Sequence, residues 1–185
     1  MLNLGQGSDC LNRIKRALTF FEKARANGRG VTVTEVARVI ASPRSHKSNA
    51  SAGIKAHSMW GDPYEVCNRS EYWTPLPLAY ELEAVWIYGV ADLVRFLNGA
   101  PVEVVELKHY KSLDRYAVAQ ASIYAWLIAK LFETLPKTFV LTGWNGKSYT
   151  GRVEVKCSVQ EIEEKIREAL VKISRRATRL NSLKT

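Results

Sequence analysis

Cysteine is scarce in this chain of 185 residues: Cys10, Cys67 and Cys157 are the whole complement, and no Cys-x-x-Cys pair occurs. An odd, scattered trio argues against a disulfide framework and for a reducing compartment, with the disulfide-rich intracellular proteins of hyperthermophiles as the exception. Long apolar runs are missing as well. None approaches the roughly 20 residues a membrane-crossing helix needs, and the N-terminus lacks the apolar core of a signal peptide. The expectation is a soluble cytoplasmic protein with no membrane partner. Acidic residues are outnumbered, 18 Asp and Glu against 27 Lys and Arg, for a formal charge of +9. Such a balance suits a partner with a phosphate backbone. Neither an internal repeat nor a low-complexity tract divides the chain, and its apolar and charged fractions of 46% and 24% are ordinary. One domain with a proper core is expected over residues 1–185.

What is present centres on Gly89-Val-Ala-Asp92-Leu-Val-Arg-Phe and Val104-Val-Glu106-Leu107-Lys108, separated by Asn98-Gly99. Asn-Gly between two strand-like runs is a strong hairpin signal, so the two runs read as adjacent antiparallel strands. Glu106 and Lys108, two residues apart in a strand, project from one face while Leu107 points to the other. Pairing can bring Asp92 toward them. Two carboxylates and a lysine on one sheet face suit phosphodiester hydrolysis. The carboxylates would hold Mg²⁺ or Mn²⁺ through oxygen, and Lys108 would orient the attacking water or offset developing negative charge. An exposed sheet face with a cross-strand ion pair is the alternative reading of the same residues.

From Leu113 to Phe132, Tyr116, Ala119, Gln120, Ile123, Tyr124, Leu127 and Leu131 recur at helical spacing, which predicts a long amphipathic helix. Gln120 and Tyr124 lie one turn apart on it. A polar pair in an apolar stripe needs a partner, such as a phosphate, a base or Lys108; the alternative is a tyrosine packed in the core.

Gly-x-x-Asp, Glu-x-Lys and Gln-x-x-x-Tyr, in this order, resemble the RecB-like branch of the PD-(D/E)XK nucleases. Upstream, Gly53-Ile-Lys-Ala-His57 is similar to that branch's Gly-x-x-x-His motif, and Val31 to Arg44 is similar to the opening of the CRISPR-associated Cas-four nucleases, with Ser42 where that family has a cysteine. The resemblance spans about Val31 to Phe132. It implies a restriction-endonuclease-like α/β fold, with a mixed central sheet flanked by helices and an N-terminal helical part. It further implies His57, Asp92, Glu106 and the Leu107 backbone carbonyl as metal ligands, and Lys108, Gln120 and Tyr124 as catalytic partners. Candidate DNA contacts are Arg44, Lys47, Lys55, Lys111 and Arg115. The family's iron-sulfur cluster takes four thiolates, so three dispersed cysteines predict that none forms here.

Along the rest of the chain, Ser8 to Ala26 reads as an amphipathic helix capped by Ser8-Asp9, and Thr34 as the N-cap of a short helix, Glu35 to Ile40. Residues 1–60 form the helical N-terminal part. Ser42 to Ser58 is small, polar and basic, either an arm or a helix delivering His57. Trp60 to Pro77, aromatic and broken by Pro63, Pro75 and Pro77, reads as a loop whose rings stack on bases or pin it to the core. Leu78 to Ile87 alternates as a strand, and residues 78–157 carry the catalytic sheet and the Gln/Tyr helix. Lys137 to Gly143 and Lys147 to Cys157 form a hairpin about Trp144-Asn145-Gly146. Val159 to Arg176 is a last amphipathic helix, followed by a basic tail.

Three functions fit. The first is an exonuclease on single-stranded DNA or DNA ends, by resemblance one that trims DNA alongside CRISPR integration proteins. The second is a viral or repair nuclease of the same superfamily on duplex or branched DNA. The third is a DNA-binding subunit with latent chemistry, against which the clustered carboxylates argue because they repel phosphate.

Overall fold

The computed structural model describes residues 4–28, 30–41 and 62–182. Its architecture is α/β: a six-stranded mixed sheet flanked by helices, with a helix at the N-terminus, consistent with a restriction-endonuclease-like core. Among the described residues no helix is long and apolar enough to cross a membrane.

The first helix, α1 (Leu4–Ala26), buries Ile14, Ala17 and Ala24. Arg13 projects from it to the end of a later helix, donating to the Phe132 carbonyl and pairing with Glu133 at 3.0 Å. A short strand β1 (Val31–Thr32) leads into helix α2 (Val33–Ala41). The cap is Thr32 rather than Thr34. Its hydroxyl accepts from the Glu35 amide at 3.2 Å, and the Glu35 carboxylate accepts from the Thr32 amide at 2.8 Å, a reciprocal capping box.

A 3-10 helix (Pro63–Asn68) precedes β2 (Glu71–Leu82), β3 (Val85–Leu97) and β4 (Ala100–Leu107). This corrects two expectations. Residues 71–77 are strand, not loop: among the described residues β2 is an edge that pairs only with β3, so Pro75 and Pro77 are tolerated, with a register shift between Thr74 and Leu76. Leu78 to Ile87 is not one strand either. Glu83 and Ala84 take positive φ of 51° and 61° and turn the chain tightly, a conformation concealed by side chains that normally avoid it. The Asn98-Gly99 turn is as expected, with φ of 49° and 80°.

Helix α3 (Arg115–Phe132) is capped by the Asp114 carboxylate, which accepts from the Ala117 amide at 2.7 Å. It is buried on nearly every side rather than along one stripe, because the sheet covers one flank and α2 and the last helix cover the others. Strands β5 (Lys137–Trp144) and β6 (Tyr149–Val155) complete the sheet, and helix α4 runs Val159–Ser182, past the expected end at Arg176. Glu163 ties α4 to α3 by accepting from Trp126 at 3.1 Å and Lys130 at 2.6 Å.

Strand β3 is central. Along one edge it pairs with β2 throughout; along the other, β1 joins in parallel at Ile87 and Tyr88, and β4 antiparallel from Leu93 onward. On this second edge Gly89 to Asp92 lies in a fork between β1 and β4. β4 then pairs parallel with β5, and β5 antiparallel with β6. The main core, including Leu76, Leu78, Val94, Phe96, Val104, Ile123 and Leu127, fills the face under α3, while Leu93, Val105 and Phe139 form a smaller cluster on the opposite face.

One expectation about cysteine is overturned: Cys10 of α1 and Cys67 of the 3-10 helix form a disulfide, leaving Cys157 free. The partners are 57 residues apart in sequence, and only the packing of α1 against the 3-10 helix brings them together. Closing such a loop stabilises the fold by about 4 kcal/mol in the chain-entropy picture.

Candidate functional site

The fork in β3 is where the polar residues converge. Pairing of β3 with β4 runs Leu97↔Ala100 and Phe96↔Pro101, then shifts to Arg95↔Glu103, so Val102 is an extra residue in β4. The Leu93↔Val105 pair that follows sets Asp92 one step further on, opposite Glu106. There the strands part. The Asp92 carboxylate takes the place of a ladder carbonyl and accepts from the Leu107 amide at 2.8 Å.

Glu106 is 3% exposed. Its Oε1 accepts from Lys108 Nζ at 2.7 Å, and Nζ also donates to Gln120 Oε1 at 2.6 Å, so the lysine spans sheet and helix. The Tyr116 ring lies 5.3 Å from the same ammonium. Glu106 Oε2 is buried and accepts no hydrogen bond among the described residues. A buried anionic oxygen without a donor is costly, and a bound cation would offset that cost.

Tyr124, one turn beyond Gln120, is buried against Gly89. A Cβ at residue 89 would lie 2.7 Å from the Tyr124 hydroxyl and 3.1 Å from Val33, so the glycine makes room for the phenol beside Asp92.

The charges are unbalanced. Burial first, and the Asp92 charge second, push the Glu106 carboxyl up against the pull of Lys108. Burial works against the Lys108 ammonium, but Glu106 outweighs it and the lysine holds its proton more tightly than usual. Tyr124 is pushed well above the ordinary phenol range by burial and then by Glu106 and Asp92, which keeps it a hydrogen-bond donor. Among the described residues, two carboxyl groups therefore face one lysine, and the buried one is pushed toward its neutral form. Their oxygens are hard donors of the kind Mg²⁺ and Mn²⁺ take. Among the described residues they are not joined by a third His, Cys, Asp or Glu in one group.

The structure thus brings together Asp92, Glu106, Lys108, Gln120 and Tyr124. His57, Arg44, Lys47 and Lys55 lie outside the described residues. Lys111 and Arg115 are both exposed, but they part company. Lys111 is in the loop that follows Lys108, its stem 3.5 Å from where a Gly143 Cβ would be, whereas Arg115 borders a cavity of about 360 Å³ between α2, α3 and α4, together with Lys165 and Lys172. Sequence reasoning missed Tyr116 as the lysine's neighbour, although it completes an i, i+4, i+8 row with Gln120 and Tyr124. It also missed Tyr149, whose phenol feels the Asp92 charge. Comparison of the chain with protein-family models gives no match, and comparison with curated proteins gives none either.

Proposed function

We propose that the chain is a divalent-metal-dependent deoxyribonuclease acting at the Asp92, Glu106 and Lys108 cluster, in the manner of the RecB-like nucleases its motifs resemble. The observation that carries this reading is the buried Glu106 carboxyl group with one oxygen unpartnered among the described residues, set opposite Asp92 and tied to a lysine. Asp92 and Glu106 would hold Mg²⁺ or Mn²⁺, with the Leu107 carbonyl and His57 as further ligands by resemblance. Such a cation lowers the pKa of a bound water and polarises a phosphoryl oxygen.

The remaining work falls to the chain's own groups. Lys108, fixed by Glu106 and Gln120, presents a positive charge whose position is set before substrate arrives, which is how a preorganised site offsets charge developing on phosphate. Gln120 is then a positioning residue for Lys108. Tyr124, held protonated, can donate to a phosphate oxygen without adding charge. The net charge of +9 favours approach of DNA. The substrate proposed is DNA ends or single strands, with CRISPR integration proteins as partners by resemblance.

The test uses end-labelled single-stranded, duplex and circular DNA with Mg²⁺, Mn²⁺ or EDTA. Cleavage with either metal and none with EDTA is expected, with circular DNA left intact. Cleavage that persists in EDTA, or no cleavage of any substrate with either metal, refutes the reading.

A further inference from the structure

Beyond the polar cluster, β5 continues past the end of β4 and carries the chain to a hairpin tip. Lys108 donates its amide to the Leu141 carbonyl at 2.8 Å and Gly143 donates to the Tyr110 carbonyl at 2.8 Å, so the loop after Lys108 is zipped to this extension. At its end Trp144 pairs across the strands with Tyr149, their ring centroids 5.0 Å apart and tilted by 47°. Trp144 is 41% exposed. Its ring rests against Tyr149 and the residue remains partly exposed.

The pair sits on the side of the sheet that bears the carboxylates. Tyr149 alternates with Gly151, Val153 and Val155, and Val155 packs with Ala117, Ala121 and Val140. Val140 is in register with Glu106. Burial and then the Asp92 charge push the Tyr149 phenol up. Trp144 is four residues beyond Val140, about 13 Å along an extended strand.

The turn at the tip is held by hydrogen bonds and carries one lysine. The Asn145 side chain accepts from the amides of Lys147 and Ser148, both at 2.9 Å, and Gly146 supplies the positive φ of 95° that the turn requires. Lys147 stands on the turn, and the Lys111 stem lies beside Gly143.

We propose that Trp144, seated on Tyr149, is a stacking platform for an unpaired nucleobase, which holds a single strand of DNA against Lys111 and Lys147 and leads it to the Asp92 and Glu106 centre. A base in a duplex has its ring faces covered by its neighbours, so the platform engages only an unstacked nucleotide. The cations contact phosphate and are indifferent to sequence. This assignment rests on the nuclease reading for the direction in which the strand runs, but the platform itself is a binding property and is measured without cleavage.

The experiment is fluorescence anisotropy of fluorescein-labelled oligothymidylate with the full chain in EDTA. Trp144→Ala is expected to raise Kd on the order of tenfold. Trp144→Phe, which keeps a ring face, should restore most of the affinity. Trp144→Leu, which retains an apolar cover over Tyr149 without a ring face, should behave like the alanine variant, with the circular dichroism of all three variants matching that of the wild type. An abasic strand should bind the wild type weakly and be indifferent to Trp144→Ala, and matched duplex should bind less tightly than the single strand. Unchanged affinity in both Trp144→Ala and Trp144→Leu, or an equal loss with the abasic strand, overturns the platform. Metal-dependent cleavage together with binding that ignores Trp144 removes the platform and leaves the nuclease reading. Trp144-dependent binding with no cleavage under any divalent metal does the reverse.

Discussion

The two faces of strands β3 and β4 carry the same kinds of charged residue and use them differently. On the face away from α3, Arg95 pairs with Glu103 at 2.6 Å and Glu71 at 3.3 Å, and Arg152 approaches Glu103 at 3.7 Å. Two guanidinium groups meet two carboxylates, and both arginines lie over rings, Arg95 on Trp73 and Arg152 on Phe139. Among the described residues, the face beneath α3 sets Asp92 and Glu106 against one lysine, Lys108. Each network, among the described residues, leaves one buried atom without a partner, Nε of Arg95 and Oε2 of Glu106. The arginine's other nitrogens are engaged, so its charge is already compensated. Glu106 lies instead beside a second carboxylate that raises the cost of its own charge. A balanced network compensates its own charges, whereas an unbalanced one leaves a charge that a bound cation would offset.

Substitutions that treat the two networks alike should separate them most sharply. Glu106→Ala and Asp92→Ala are expected to reduce metal-dependent cleavage to background and to abolish Mn²⁺ binding in titration calorimetry, while Glu103→Ala leaves both intact. Full activity in either of the first two would erase the contrast. Next in size, Lys108→Ala should lower kcat by about 10²–10³-fold with Mn²⁺ affinity retained, as for removal of a preorganised charge at the reacting group. Arg95→Ala should leave kcat near wild type and show itself only as a lower thermal midpoint.

Gly89→Ala tests whether the phenol depends on the space beside Asp92. The added methyl group must displace Tyr124, and misplacement of this kind costs up to about a hundredfold in rate. Normal Mn²⁺ binding is expected. Adding Tyr124→Phe should cost little more, because the clash and the deletion affect the same hydroxyl, and a double-mutant cycle measures that overlap. Strict additivity would mean that glycine and phenol act separately.

The smallest effect expected is on pH dependence. Because the Glu106 carboxyl in the folded protein is raised above its ordinary value, it retains a proton that a cation must displace. Mn²⁺ affinity should therefore rise with pH toward about 8 and fall as pH drops. Calorimetry in buffers of different ionisation enthalpy would register the released proton. A flat profile would show that Glu106 does not share its proton site with the metal.

Much of the site was legible before the fold was known, and the reason is local. Asn98-Gly99 fixes the hairpin, the period of two puts Glu106 and Lys108 on one face, and the period of 3.6 stacks Gln120 and Tyr124 on one helix. What sequence could not supply is the extra residue at Val102. Without it the register of the turn would continue, Asp92 would face Val105, and Glu106 would emerge on the opposite side of the sheet from Asp92. Nothing in Ala100-Pro101-Val102-Glu103 marks that residue as unpaired. The edge strand was missed for a similar reason: prolines argue against a central strand, and only the topology reveals that β2, among the described residues, has a neighbour on one side alone. The Thr32 cap was readable as Thr-x-x-Glu, but Thr34 stands closer to the apolar run and drew the boundary two residues late.

The bond between Cys10 and Cys67 gives the chain a covalent topology that differs from its linear order. Every peptide link from Cys10 to Cys67 lies within a closed ring. A protease that cuts once inside this ring opens it without releasing a fragment, and the N-terminal piece carrying most of α1 stays attached to the strands that bear Asp92 and Glu106. On a denaturing gel such a nicked molecule runs near full length until a thiol reductant is added, and only then separates into two bands.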